Sequence, residues 1–191
     1  MPSYILYKPY QMLSQFTREA PHHRTLADLS FTFPKTVYPV GRLDADSEGL
    51  LLLTDDKSLN AKLLRPERKQ PKTYWVQVEG APTDADLAPL RSGVLLRIKG
   101  TSYRTLPAEV AFLSATPELP ERHPPVRFRK SVPDAWLSIT LVEGKNRQVR
   151  RMCAAIGFPV LRLVRVAVAG FRYGEGVIGR LEPGTVREVA I

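Results

Sequence analysis

Cys153 is the only cysteine among 191 residues, so no internal disulfide can staple this chain. That thiol and the three histidines have none of the spacings of a zinc site. Apolar runs are short, and none approaches the roughly 20 residues that a membrane-spanning helix needs. The opening "MPSYILYKPYQML" lacks the charged-then-apolar plan of a secretory signal. These absences leave a reducing cytoplasm as the expected compartment, with no membrane partner. Internal repeats, low-complexity tracts and composition breaks are missing too, which argues against several independent domains.

Acidic charge is the other shortage. Lys and Arg number 28 against 19 Asp and Glu, a net charge of +9. Hydrophobic content of 43% and charged content of 25% are ordinary for a globular protein. The surplus of positive charge therefore points outward, to a polyanionic partner, and a basic domain is the electrostatic footprint of nucleic-acid binding. A merely basic soluble protein is the plainer alternative.

What is present reads as short strands and helices. "YILYKP" is a strand closed by Pro9, and "LLLLT", residues 50–54, suits a strand buried on both faces. "DKSLNAKLLRP" is a helix capped by Asp55 or Asp56 and stopped by Pro66. "KTYWVQVEG" alternates, with Tyr74, Val76 and Val78 on one face and Trp75, Gln77 and Glu79 on the other. "TDADLAPLRSG" opens at Thr83 and stops at Gly93. "GVLLRIKG", "PAEVAFL", "AWLSITLVEG" and "VLRLVRVAVAGF" are further strands, and "GEGVIGRLEPGTVREV" reads as a glycine-rich hairpin. The proline-rich, basic residues 114–133 read as a long functional or mobile loop. In "NRQVRRMCAAIGFP" Asn146 is the expected cap and Gly157 the left-handed stop. Val149, Met152, Cys153 and Ile156 form its apolar stripe; Arg147 and Arg151 fall opposite, and Arg150 lies at the border. Strands and helices mix without strict alternation, so the expected class is α+β with a mixed or mostly antiparallel sheet.

"GRLDADSEGLLLLTDD", residues 41–56, is the most unusual stretch. Its carboxylates nearly satisfy a calcium loop of the EF-hand type. That reading fails on three points. Leu50 and Leu52 occupy ligand positions, Pro39 and Gly41 break the helix that should precede the loop, and Arg42 adds a cation. Asp46, Ser47 and Glu48 suit turn and capping roles. Asp44 is less easily dismissed, because "GRLD" sets an arginine two residues away and a buried strand follows.

Here the sequence resembles the RNA pseudouridine synthases of the RsuA type. "GRLDADSEGLLLLT" is followed in order by "KTYWVQVEG", "LSITLVEGKNRQVRRMCAAIGFPVLRLVR" and "GRLEPGTVREV", and the likeness runs over about residues 4–189. Many members carry an N-terminal S4 RNA-binding module, whereas this sequence starts at the catalytic region. The resemblance thus implies one catalytic domain over 1–191, in one body or two lobes, with an active-site cleft across the sheet. Target choice would then fall to its own basic loops, residues 65–72 and 122–130.

The implied reaction isomerises a uridine within RNA, here expected in 23S ribosomal RNA or a large-subunit assembly intermediate. The N1–C1′ bond breaks, the ring turns, and C5 bonds to the same carbon, so neither cofactor nor metal is demanded. The resemblance maps the essential carboxylate onto Asp44. It would attack C1′, as in retaining glycosidases, or remove a sugar proton. With a reference pKa of about 3.9 an aspartate is already ionised at neutral pH. Arg150 matches the family's arginine that pairs with this aspartate; otherwise all three helix arginines are solvated or phosphate-bound. Tyr74 matches the active-site tyrosine, although alternation alone places it in the core. Arg42 would hold the flipped nucleotide or a phosphate, or else bridge to Asp46 or Glu48. Lys72, Lys145, Arg147 and Arg151 are the expected backbone contacts, and a monomer is the expected state. A non-catalytic ribosome-assembly protein on the same scaffold is the competing reading. A free-nucleoside glycosidase is a distant third, since it would need a water-activating acid.

Overall fold

Lys8 ends a six-residue strand near the N-terminus, every residue of it buried (β1, Ser3–Lys8). The computed structural model describes residues 2–65, 70–127, 129 and 131–191. A two-residue strand (β2, Tyr38–Pro39) and the fully buried β3 (Glu48–Thr54) follow. Helix α1 (Lys57–Leu64) is capped by Asp56, whose carboxylate accepts from the Ser58 and Leu59 amides. Then come β4 (Lys72–Glu79), α2 (Asp84–Ser92), β5 (Leu95–Ile98), β6 (Thr101–Arg104), β7 (Glu109–Phe112) and β8 (Asp134–Leu141). Helix α3 (Gln148–Ala155), β9 (Val160–Val168), β10 (Phe171–Arg172) and β11 (Val186–Val189) complete the order. The class is α+β, as expected.

The main sheet has nine strands in the order β11-β1-β3-β9-β4-β8-β7, with β10 on β9 and β2 on β3. Every pairing is antiparallel except β3 with β9. That parallel joint is brief: Glu48 faces Val164 and Gly49 faces Arg165. Beyond it β9 leaves, and the freed edge of β3 takes β2 instead, at Leu53 and Thr54. The chain connecting β2 back to β3, residues 40–47, therefore sits in the gap between the two halves of the sheet. A Cβ on Gly49 would lie 2.3 Å from the Arg165 carbonyl oxygen, and its φ is +102°. Only glycine lets β9 come this close.

The β4 alternation holds. Val76 and Val78 are buried in one apolar cluster that includes partly buried Tyr74, while Trp75 packs into another on the opposite face. Thr83 and Asp86 form a reciprocal capping box on α2, and Gly93 ends it.

Three local expectations need correction. Residues 174–189 are no hairpin, because β11 pairs with β1 and only a turn closes from the Gly174 amide to Gly179. Asn146 does not cap α3. The cap is Arg147 in a left-handed conformation (φ 50°, ψ 36°), and the Gln148 side chain supplies the hydrogen bonds, accepting from the Lys145 amide and donating to Glu143. Residues 114–133 hold no helix or strand among the described residues, but they are pinned to the body. Arg122 lies 4.2 Å over the Tyr10 ring and donates to the Pro124 and Pro125 carbonyls, and Arg162 donates to that of Pro120.

Candidate active site

A cleft of about 880 Å³ opens where β3 and β9 part company. The turn carrying Gly41–Asp44 forms one wall, and Tyr74 and Arg165, directly opposed on β4 and β9, lie on its floor. The segment leading into α3 supplies a further wall with Glu143, Lys145 and Arg147. Six basic side chains among the described residues line it against two acidic ones, so its field is positive.

The turn is held at nearly every peptide. Ser14 Oγ accepts from the Leu43 amide and donates to the Leu43 carbonyl, at 3.0 and 2.9 Å. The Ala45 carbonyl accepts from the Gln11 amide at 2.7 Å and from Lys8 Nζ at 3.3 Å. The Asp46 carbonyl accepts from Arg150 Nη2 at 2.6 Å. Such fixing holds the side chain that the turn carries in one place. The Asp44 carboxylate itself accepts no hydrogen bond among the described residues. Its nearest ionic partner there is Arg147 Nη1 at 3.7 Å. Asp44 faces the cleft, is about one-third exposed, and is free to act.

Arg150 thus differs from its expected place. Its side chain pairs with Asp46, not Asp44: besides the carbonyl it holds, Nε lies 3.4 Å from the Asp46 carboxylate, and Nη1 reaches the Val160 carbonyl at 3.5 Å. The cation beside Asp44 is Arg147. Because Arg147 precedes the helix in a left-handed conformation, its side chain does not follow the helical wheel that set it on the outer face. It grips Asp46 with two bonds of 3.0 and 2.7 Å, and Nη1, one of those two donors, also lies 3.7 Å from Asp44. Burial would push the Asp46 carboxyl up, but the Arg147 bonds and the Arg150 and Arg147 charges outweigh it and hold it below its ordinary value.

The other acids of this stretch do not converge, and among the described residues no group of three or more His, Cys, Asp or Glu is placed to hold a metal ion. Glu48 is no turn residue. It begins β3 and forms a buried two-bond ion pair with Arg162 at 2.9 and 2.7 Å. With Glu48 and Asp46 both taken, Arg42 bridges to neither; it donates to Gln15 at 2.6 Å and lines the cleft.

Lys72 and Lys145 also line the cleft, Lys145 4.7 Å over the Tyr103 ring. Arg151 does not; it is tied back to the Asn146 and Arg97 carbonyls, at 3.1 and 3.2 Å. Of the two basic loops, Arg65, Gln70 and Lys72 reach the cleft, while residues 66–69 lie outside the described residues. The described residues of 122–130 contribute nothing to its lining.

Sequence reasoning missed Arg165, Glu143 and Tyr103. Glu143 accepts from the Tyr103 hydroxyl, the Gln148 amide and the Leu106 backbone, tying the β5–β6 hairpin to the start of α3. Arg165 had a usable signal, a charge inside the otherwise apolar run "LVRVAV".

The sequence profile of the RNA pseudouridylate synthases matches residues 3–155. The chain belongs to that family. Its members here include the ribosomal large subunit pseudouridine synthase E of Vibrio vulnificus, 54% identical over 98% of this chain and 74% of that protein. The protein of the same name from Xanthomonas axonopodis pv. citri is 57% identical over 88% of this chain and 86% of its own length. Among solved structures a pseudouridylate synthase superposes with a TM-score of 0.76 at 27% identity, covering 99% of this chain and 70% of its own. The chain is therefore a pseudouridine synthase, an isomerase, and no helix among the described residues is long and apolar enough to cross a membrane.

Proposed function

We propose that this pseudouridine synthase acts on large-subunit ribosomal RNA, with Asp44 working at C1′ of a uridine flipped into the cleft. The substrate class follows the names of the relatives from Vibrio and Xanthomonas. One observation supports the role of Asp44 above all: an unbonded carboxylate stands on the wall of a positive cleft, on a turn whose carbonyls and amides are otherwise held. The volume, about 880 Å³, lies within the range of small-ligand sites, roughly 300–1,000 Å³, and suits a single nucleotide.

Extruding a base costs about a few kcal/mol. Stacking on an aromatic ring returns about 1–3 kcal/mol, which is the part we assign to Tyr74. Arg147 sets a positive charge 3.7 Å from the Asp44 carboxylate, and Arg150 fixes the turn from behind. Arg42, Lys72 and Lys145 stand at the rim, where the RNA backbone passes. The whole chain works as one catalytic domain in this reading, as a monomer, on rRNA or an assembling subunit.

Tritium release from RNA labelled at uracil C5 tests it. The wild type should release tritium, and Asp44→Asn should lose about 10²–10⁴-fold in rate, the span for a positioned proton-transfer group, or more if Asp44 attacks carbon. Full activity in Asp44→Asn would end the assignment.

A further inference from the structure

Arg165 is a buried cation that forms no ion pair among the described residues. Only 3% of the residue is exposed, yet it lines the floor of the cleft. Its Nε donates to the Leu50 carbonyl at 2.8 Å, while Nη2 is buried without a hydrogen-bond partner among the described residues. It enters none of the ion pairs among those residues. Its charge adds to those of Lys8 and Lys72, whose ammonium forms it disfavours. An unpaired buried charge costs several kcal/mol, and a structural arginine would have been given an acid, as Arg162 is given Glu48.

What this cation faces is set by the sheet. Arg165 and Tyr74 are opposite residues of an antiparallel pair, so their side chains share one face, the one on the cleft. A base lying on Tyr74 thus presents its edge toward the guanidinium. Arg42 and Lys145 are exposed, whereas Arg165 is buried in the floor beside Tyr74.

We propose that Arg165 is a catalytic residue that holds the uracil ring through its carbonyl oxygens and stabilises the ring's negative charge when it leaves the ribose; this rests on the reading of Asp44 above. As C1′–N1 breaks, both electrons stay on the ring. C1′ is satisfied by an Asp44 oxygen, or by a C1′–C2′ double bond if Asp44 takes the C2′ proton instead. On either route the detached ring is a monoanion with its charge shared among N1, O2 and O4. The ring turns and C5 bonds to C1′ as Asp44 departs or returns its proton. C5 then loses its proton and N1 gains one, so the sum is an isomerisation. A planar two-pronged donor follows a rotating anion better than a single point charge, and a donor already in place in a dry site acts where charge develops.

The test compares wild type, Asp44→Asn, Arg165→Met and Arg165→Lys in the full chain, with RNA labelled at uracil C5. Arg165→Met should slow single-turnover tritium release by about 10²–10³-fold, as loss of one such donor does. RNA affinity should stay within about threefold, and the log–log salt slope should not change. Guanidinium ion added to a fifth protein, Arg165→Ala, should restore part of the rate, whereas urea, a neutral molecule of nearly the same shape, should not. If Arg165→Met shows no cooperative thermal transition, Arg165→Lys carries the test, with normal affinity and a rate at least about tenfold down. A rate within threefold of wild type in either folded variant overturns the proposal. So does a salt slope smaller by about 0.7 with a loss confined to affinity, which marks a phosphate contact. Should the wild type itself release no tritium, the isomerase reading falls first; an active wild type with an unaffected Arg165→Met sinks only the role of Arg165.

Discussion

Ala45 and Asp46 offer the substrate nothing through their backbones, yet Lys8, Gln11 and Arg150 all converge on their carbonyls. Asp44 hangs between those anchors, so its aim depends on residues that never touch RNA. Arg150→Ala should lower turnover by about 10²-fold, the cost of misplacing a reacting group by about an ångström, while RNA affinity changes less than threefold. A rise in Kd matching the fall in rate would instead make Arg150 a phosphate ligand. Lys8 carries a second prediction. Burial drives its ammonium down to about 7, against the partial support of Glu48 and Asp46. The unfolded chain keeps that proton until about pH 10.4. Below pH 7 both states are protonated and the folded one bears the full cost of the buried charge. Between 7 and 10.4 the unfolded state binds more protons, so stability rises with pH. Relative to Lys8→Met, wild-type unfolding free energy should climb from pH 7 to 9 by up to about 1.4 kcal/mol per unit; denaturant titrations giving a flat difference would contradict this. The motifs picked out two residues, Asp44 and Tyr74, that the fold places in the lining of one cleft. Partners were not legible in the sequence: Arg147 displaced Arg150 beside Asp44 because a left-handed residue ahead of α3 obeys no helical periodicity.

Among the elements, the joint between β3 and β9 decides the site. Two residue pairs hold it through the backbone, and Glu48 with Arg162 rivet it from the other face. Truncating either partner alone leaves a buried charge, so Glu48→Leu or Arg162→Leu should each cost about 3–5 kcal/mol in equilibrium unfolding. The double variant should recover most of that loss, because two apolar side chains leave no charge behind. Equal or additive losses would make the pair a true net stabiliser. Strand existence could be read from alternation, and the full burial of β3 from its leucine run. Pairing could not. Residues 48–49 meet 164–165 across more than a hundred positions, β11 goes to β1 and not into a hairpin, and no local pattern encodes either choice.

At the scale of the molecule, the surplus of positive charge becomes useful because part of it is gathered at one opening, where among the described residues six cations face two acids. Removing Arg42, Lys72 or Lys145 singly should reduce the log–log salt slope of RNA binding by about 0.7 each. Replacing Arg151, tied down away from the cleft, should leave the slope unchanged; filter binding between 50 and 200 mM salt measures both. The basic character was plain from composition, but its focus was not, since Arg122 and Arg151 look like RNA contacts in the sequence and spend their donors on carbonyls in the fold.

The late arrival of β9 has an effect on timing. During synthesis the N-terminal segments emerge first and bring the Asp44 turn and the Tyr74 half of the floor with them, but the Arg165 half comes more than a hundred residues after the turn. A nascent chain paused before that strand holds the Asp44 carboxylate and Tyr74 with half of the floor still missing, and is expected to be inactive on the transcripts around it. Translation itself thus delays the switch-on until the whole scaffold is in hand.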